Sequence, residues 1–167
     1  MNVWLIAAIS VDGKIAERAD QSSLDWTSKE DLKFFVEKTK EAGVVIMGRK
    51  TFATIGKPLK DRRLIVMTCD PEKQNPMIGV EYTSDSPVRI IEKLAAEGCA
   101  NVAIAGGGGV YQQFLAQRLV TDLFLTIEPV LFGEGVSLAQ DFGRMNLKLV
   151  ETRALNSQSI LFHYTVL

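Results

Sequence analysis

Val102-Ala103-Ile104-Ala105-Gly106-Gly107-Gly108-Gly109-Val110-Tyr111-Gln112-Gln113-Phe114-Leu115 reads as strand, glycine turn and helix. The first-turn N–H groups of a helix lack intrahelical partners and carry the positive end of its dipole, so a turn free of side chains at that point suits a phosphate or pyrophosphate. The alternative is a tight strand-to-helix connection in which glycine only permits close packing. Four glycines in a row exceed what a turn needs, and each adds to the entropy lost on folding, which favours the anion site. The spacing is not Gly-x-Gly-x-x-Gly, because Tyr111 and Gln112 follow at once. Gly106, Gly107, Gly108 and Gly109, with Val110 and Tyr111 opening the helix, are therefore candidate contacts for an anionic ligand.

A second stretch repeats the plan. Val44-Val45-Ile46-Met47 is a buried-strand run, followed directly by Gly48-Arg49-Lys50-Thr51-Phe52 and a short helical segment to Ile55. Two cations and a hydroxyl where a helix begins can hold phosphate through charge-assisted bonds, Arg49 bidentately. A solvated basic turn is the alternative. Two such sites after two strands of one sheet strengthen the ligand reading, because ligands of open α/β sheets collect beyond the carboxyl ends of the strands.

Working back to the start, Val3 to Ile9 is a continuous apolar run that ends at Ser10-Val11-Asp12-Gly13, the pattern of a central strand buried on both faces before a turn. The small residues Ala7 and Ala8 either let a flat ring lie against the backbone or merely accommodate helix packing. Thr27-x-x-Glu30 has the form of a capping box and predicts a helix through about Ala42, with Leu32, Phe35, Val36 and Thr39 along one face. Asp31 lies one turn before Phe35, on or beside the buried stripe, with Trp26 upstream to cover it. It is either a partner of the helix dipole or a partly buried carboxyl whose pKa is raised by desolvation and which can deliver a proton.

Further on, Leu64 to Met67 is a strand with Thr68 and Cys69 at its end, and Arg62 at its start is an exposed edge charge or a grip for a carboxylate or phosphate. Val80-Glu81-Tyr82 is a short strand and Pro87 to Glu97 a helix closed by Gly98. Asp122 to Ile127 is another strand, after which Glu128 to Gly135 leaves the core as a loop. Leu147 to Leu155 and Ser159 to Leu167 form a hairpin. The fold class is thus α/β, a mixed but mainly parallel sheet flanked by helices and ending in an antiparallel hairpin, with residues 1–167 as a single domain.

Composition narrows the partners. With 167 residues and 47% hydrophobic content the chain can bury a sizeable core. The 19 basic and 20 acidic residues are interspersed, giving a net charge of -1 and no nucleic-acid or membrane-surface footprint, so a small molecule is the expected partner. Cys69 and Cys99 form no Cys-x-x-Cys pair and His163 is the sole histidine, so no metal site is expected. Free thiols and the absence of a leader pattern ahead of the Val3 run point to a cytoplasmic protein.

Taken jointly, the segments resemble the dihydrofolate reductase superfamily over nearly the whole chain, and in particular the reductase domain of riboflavin biosynthesis. Gly48 to Phe52 with Ile55-Gly56-Lys57-Pro58-Leu59, the Trp26-to-Asp31 spacing followed by Leu32 and Phe35, and Gly106-Gly107-Gly108 with Val110-Tyr111 resemble dihydrofolate reductases. Ser10 to Ala16 and Leu125-Thr126-Ile127-x-Pro129-Val130-Leu131-x-Gly133-x-Gly135 are more similar to the riboflavin-pathway reductases. The resemblance implies NADPH as hydride donor, with Arg49, Lys50 and Thr51 on its phosphates, Thr68 near the 2′-phosphate, and Gly107 and Gly108 under the pyrophosphate. It implies Asp31 and Thr126 as the catalytic pair, Trp26, Phe35 and Arg62 toward the substrate, Ala8 beside the cofactor, and a homodimer. The expected activity is hydride transfer to a C=N-type carbon of a pyrimidine- or pterin-like substrate. The riboflavin pathway's ribosylamino-pyrimidine reductase stands first, dihydrofolate reductase second, and a non-catalytic NADPH-binding module is the alternative from another class.

Overall fold

The structure, a computed structural model, describes residues 1–167. In chain order its elements are β1 (Asn2–Ser10), β2 (Lys14–Ala16), α1 (Lys29–Ala42), β3 (Val44–Gly48), α2 (Arg49–Ile55), β4 (Arg63–Met67), β5 (Val80–Thr83), α3 (Pro87–Ala96), β6 (Asn101–Ile104), α4 (Gly108–Ala116), β7 (Asp122–Glu128), β8 (Val136–Ser137), β9 (Leu147–Ala154) and β10 (Ile160–Val166). Eight strands form one sheet in the order β5-β4-β3-β6-β1-β7-β10-β9. The pairings from β5 across to β7 are parallel, whereas β10 runs antiparallel to both β7 and β9. The mixed sheet and C-terminal hairpin expected from the sequence are present.

β1 is apolar throughout because both of its faces are covered. Trp4 and Ile6 point into one cluster with Phe34, Phe52 and Phe124, and Val3, Leu5, Ala7 and Ile9 point into the other with Ile90, Leu94, Val110 and Phe114. Helices α1 and α2 therefore cover one face, α3 and α4 the other. Burying a side chain such as Phe34 or Phe114 contributes roughly 1.5–3 kcal/mol, and these anchors fix each helix against the sheet.

Three sequence expectations need correction, and one pair of strands was not foreseen. Helix α1 is capped by Ser28, not Thr27: Ser28 has extended backbone and its Oγ accepts from Asp31 N at 3.2 Å. Its buried stripe holds Phe34, Thr39 and Ala42, while Leu32 is 40% exposed. The apolar count misplaced the stripe because Lys38 occupies an inward position, its ammonium 3.9 Å from the Trp4 ring centroid and 4.6 Å from that of Phe124. Glu128, read as the start of a loop leaving the core, ends β7 and is only 2% exposed. Finally, β2 and β8 pair as a small separate antiparallel sheet; three and two residues long, they are too short to show a period.

Candidate active site

The strand order brings the two glycine turns together. β3 and β6 are neighbours, and beyond them Ala105 N donates to Ile46 O at 2.8 Å and Gly48 N to Gly106 O at 2.7 Å. Glycine is needed at the contact. A Cβ on Gly48 would lie 3.1 Å from Val110 Cγ2, one on Gly107 3.0 Å from Thr51 Oγ1, and one on Gly108 3.0 Å from Ser137 O. Gly106 has φ +105, which L side chains rarely adopt, and the Gly106–Gly107 peptide is cis. Close packing thus accounts for Gly106 to Gly108, whereas Gly109 faces open space.

That open space is a cleft. The N–H groups of Val110 and Tyr111 return to Gly107 O at 2.9 and 3.1 Å, so the first-turn donors left over are those of Gly108 and Gly109. A cavity of about 240 Å³ lies over them, lined by Gly108, Gly109 and Gln112 on one side and Val136 and Ser137 on the other. Arg49 and Lys50 are exposed at the start of α2 and enter no ion pair. Thr51 sets its hydroxyl toward Gly107. Thr68 follows β4, the strand beyond β3, and its N–H donates to Thr83 O at 2.9 Å. Unpaired cations, a side-chain-free turn and free amides at one sheet end fit the phosphates of a dinucleotide. The β2–β8 wall was not legible in the sequence.

Between β6 and β1 the sheet opens. Pairing ends at Leu5↔Ile104, and Ile6 to Ser10 run on beside β7 alone, with Ala8 opposite Thr126. Tyr111 Oη donates to Ile6 O at 2.7 Å in the opening. Burial raises the Tyr111 pKa, with the charge of Asp31 adding to it, so the phenol stays protonated. Ala8 is half-buried where Ala7 is buried, which leaves Ala8 as the small residue flanking the gap.

Asp31 sits in the first turn of α1, which descends from this same end of the sheet. Burial pushes its carboxyl up to about 6 from an ordinary 3.8; the Thr126 hydroxyl acts in the opposite sense and the Glu128 charge adds to the rise. Thr126 is 1% exposed. Trp26 stands edge-on to Phe132, ring centroids 5.1 Å apart, and its Nε1 is buried with no hydrogen-bond partner. Phe132 N and Gly133 N donate to the Asp12 carboxylate at 3.2 and 2.8 Å, which ties the Asp12 turn to this loop. An unpaired buried N–H costs roughly 1–3 kcal/mol, so Trp26 offers a donor for a ligand or an ordered water.

Phe35, one turn beyond Asp31, is half-buried beside the same core cluster. Arg62 is neither a free edge charge nor beside Asp31. Its Nη1 donates to Thr39 Oγ1 at 2.8 Å and its Nε to Lys60 O at 3.0 Å, so it sits two helical turns, about 12 Å, along α1 from Asp31. A larger cavity, about 650 Å³ and lined by Asn2, Lys38, Asp122 and His163 among others, lies at the amino ends of the parallel strands and includes none of the candidate site residues. Sequence reasoning missed Glu128, whose carboxylate takes donors from Ser28 and Ser159. The signal was there: residues two apart on a strand share a face, so Glu128 follows Thr126.

Known proteins point the same way. A family model described as dihydrofolate reductase matches residues 2–136. Dihydrofolate reductase type 3 of Salmonella typhimurium is 32% identical over 121 residues, covering 71% of this chain and 69% of that protein. YwjB of Bacillus subtilis, described as uncharacterized, is 25% identical over 169 residues, covering 96% and 95%. At the level of fold, a Shewanella sp. PV-4 protein assigned to riboflavin biosynthesis superposes with a TM-score of 0.84 at 21% identity, covering 100% of this chain and 99% of that one. The Thermotoga maritima deaminase/5-amino-6-(5-phosphoribosylamino)uracil reductase gives 0.78 at 19% identity, with 99% and 56% covered. Dihydrofolate reductase from Enterococcus faecalis, complexed with NADP(H), gives 0.72 at 22% identity, with 99% and 96% covered. By its family match and its Salmonella relative the chain belongs to the dihydrofolate reductase family and is an NADPH-dependent reductase.

Proposed function

We propose that the chain reduces a C=N-type carbon of a pyrimidine-like substrate, 5-amino-6-(5-phosphoribosylamino)uracil in riboflavin biosynthesis. The observation that carries a C=N reduction is the half-buried Asp31 carboxyl with its pKa raised to about 6, facing Thr126 at the opening of the sheet. When bound, NADPH supplies the hydride. Asp31 delivers the proton that makes the carbon electrophilic and ends on the nitrogen, and Thr126 orients that carboxyl. Arg49, Lys50, Thr51 and Thr68 hold the phosphates, while the Gly108 and Gly109 amides take the pyrophosphate. Trp26 Nε1 donates to the substrate or its water, and Phe35 packs on the ring. Full-length likeness to the Shewanella protein, and the likeness to the Thermotoga reductase, support the pyrimidine over the pterin.

Dihydrofolate is the second reading, favoured by the Salmonella relative and by Arg62, whose distance along α1 suits the carboxylate tail of a longer substrate. Residues 1–167 act as one cytoplasmic domain; no helix is long and apolar enough to cross a membrane. The edge strand β9 is exposed along its whole length, with Leu147, Leu149 and Val150 uncovered, which supports a homodimer through the hairpin. Following NADPH oxidation with each substrate tests the assignment: reduction of the ribosylamino-pyrimidine phosphate and not of dihydrofolate is expected, and the reverse result makes the chain a dihydrofolate reductase. Light scattering at twice the chain mass is expected for the dimer, and a monomer refutes it.

A further inference from the structure

Glu128 has more to do than close a strand. It is buried at the end of β7, two residues past Thr126 and so on the face that meets α1. Ser28 N and Ser28 Oγ donate to its Oε1 at 2.8 and 2.7 Å, and Ser159 Oγ donates to its Oε2. Ser28 Oγ in turn accepts from Asp31 N at 3.2 Å. A short chain of bonds therefore runs from the hairpin through Glu128 and the cap of α1 to the backbone of Asp31.

We propose that Glu128 is a positioning residue for the proton donor Asp31, fixing the first turn of α1 through Ser28 and setting the charge that Asp31 faces from the sheet. This rests on the reading of Asp31 as the donor. Geometry alone does not require a carboxylate here. A neutral glutamine could bridge Ser28 and Ser159, with its oxygen toward the first and its amide toward the second. An ionised group costs several kcal/mol to bury without a cation, and the partners of Glu128 are hydroxyls and an amide. The α1 dipole offsets part of that cost, yet this turn already carries Glu30 and Asp31.

The charge acts on Asp31. The groups facing Asp31 are Thr126 and Glu128 from β7 and the neutral Tyr111 from α4. Glu30 on the same turn of α1 is exposed and pairs with Asn156 Nδ2 at 3.2 Å, away from the opening. Glu128 is thus the one like charge among the groups that move the Asp31 carboxyl, and it acts in the same direction as burial. It keeps the proton on Asp31 over a wider pH range.

The test is Glu128→Gln in the full chain, read by carbon-13 NMR titration of the Asp31 carboxyl without ligand and by the pH profile of kcat. The Asp31 midpoint is expected to fall by on the order of half a pH unit or more, and the basic limb of kcat to move with it. NADPH affinity stays within about twofold, since Glu128 touches none of the phosphate-binding residues. Ser159→Ala, which removes a donor but keeps the charge, is expected not to lower the midpoint. An unmoved midpoint in Glu128→Gln, or an equal fall in Ser159→Ala, overturns the proposal while leaving the role of Asp31 standing. A midpoint that falls while the kcat limb stays put refutes Asp31 as donor, and the proposal with it. Should Glu128→Gln not fold, the wild-type carboxyls decide: coupled titration curves support the proposal and independent curves overturn it.

Discussion

Replacing Asp31 with Asn is expected to stabilise the fold while removing turnover, and the stability change has a pH signature of its own. Burial raises the Asp31 carboxyl from 3.8 to about 6. The folded chain therefore keeps a proton that the unfolded chain releases, and stability from this group is present below the unfolded value and lost as pH rises through the folded one. That rise corresponds to roughly 3 kcal/mol over the whole window, of which about 1.3 kcal/mol falls between about pH 5 and pH 7. Other groups titrate in both proteins, so the informative quantity is the difference between variant and wild type, measured by urea unfolding at a series of pH values. That difference should grow in favour of Asp31→Asn by roughly 1–1.5 kcal/mol from about pH 5 to pH 7 and level off above. A difference independent of pH would mean that Asp31 ionises as an ordinary surface carboxylate and is no tuned proton donor.

Other perturbations separate the parts of the site. The kcat of the wild type should fall as pH rises above about 6, where Asp31 loses its proton; a flat profile into the alkaline range speaks against it. Arg49→Ala should weaken NADPH by roughly tenfold or more, the worth of a charge-assisted phosphate contact; fluorescence titration showing no loss would remove Arg49 from the phosphates. Trp26→Phe keeps the edge-on packing with Phe132 but deletes the unpartnered Nε1, so kcat/KM should drop roughly five- to tenfold with NADPH affinity intact; no change would mean that the N–H meets nothing in the complex. Gly106→Ala puts a side chain at φ +105 and 3.2 Å from Tyr111 Oη, costing about 1–3 kcal/mol in thermal or urea unfolding; an unaltered midpoint would show that the turn relaxes freely.

Much of the fold was legible because the central strands β1, β3, β4 and β6 are apolar runs buried on both faces. Val3 to Ile9 and Val44 to Met47 could be nothing else once Gly13 and Gly48 ended them. The two glycine turns were found separately, but that they touch is a property of strand order, which puts β6 between β3 and β1 although it comes later in the chain. No local pattern encodes that. The face of α1 was misread because Lys38 lies across two aromatic rings and an inward cation leaves no apolar mark. Strand alternation puts Glu128 on the Thr126 face, but the hydroxyls that satisfy its carboxylate belong to Ser28 and Ser159, far away in sequence, and leave no local mark. The β2–β8 wall over the Gly108–Gly109 cleft is too short to announce itself, and its contact with Gly108 became visible only in three dimensions.

The most direct test of the central claim, that Asp31 and NADPH act together on a C=N carbon, follows NADPH oxidation with wild type and Asp31→Asn side by side on the ribosylamino-pyrimidine phosphate and on dihydrofolate, with NADPH affinity measured in parallel. Wild type is expected to reduce one of the two substrates, and the variant to bind NADPH equally well while losing most turnover. Full turnover in Asp31→Asn, or NADPH binding by wild type with neither substrate reduced, would contradict that claim.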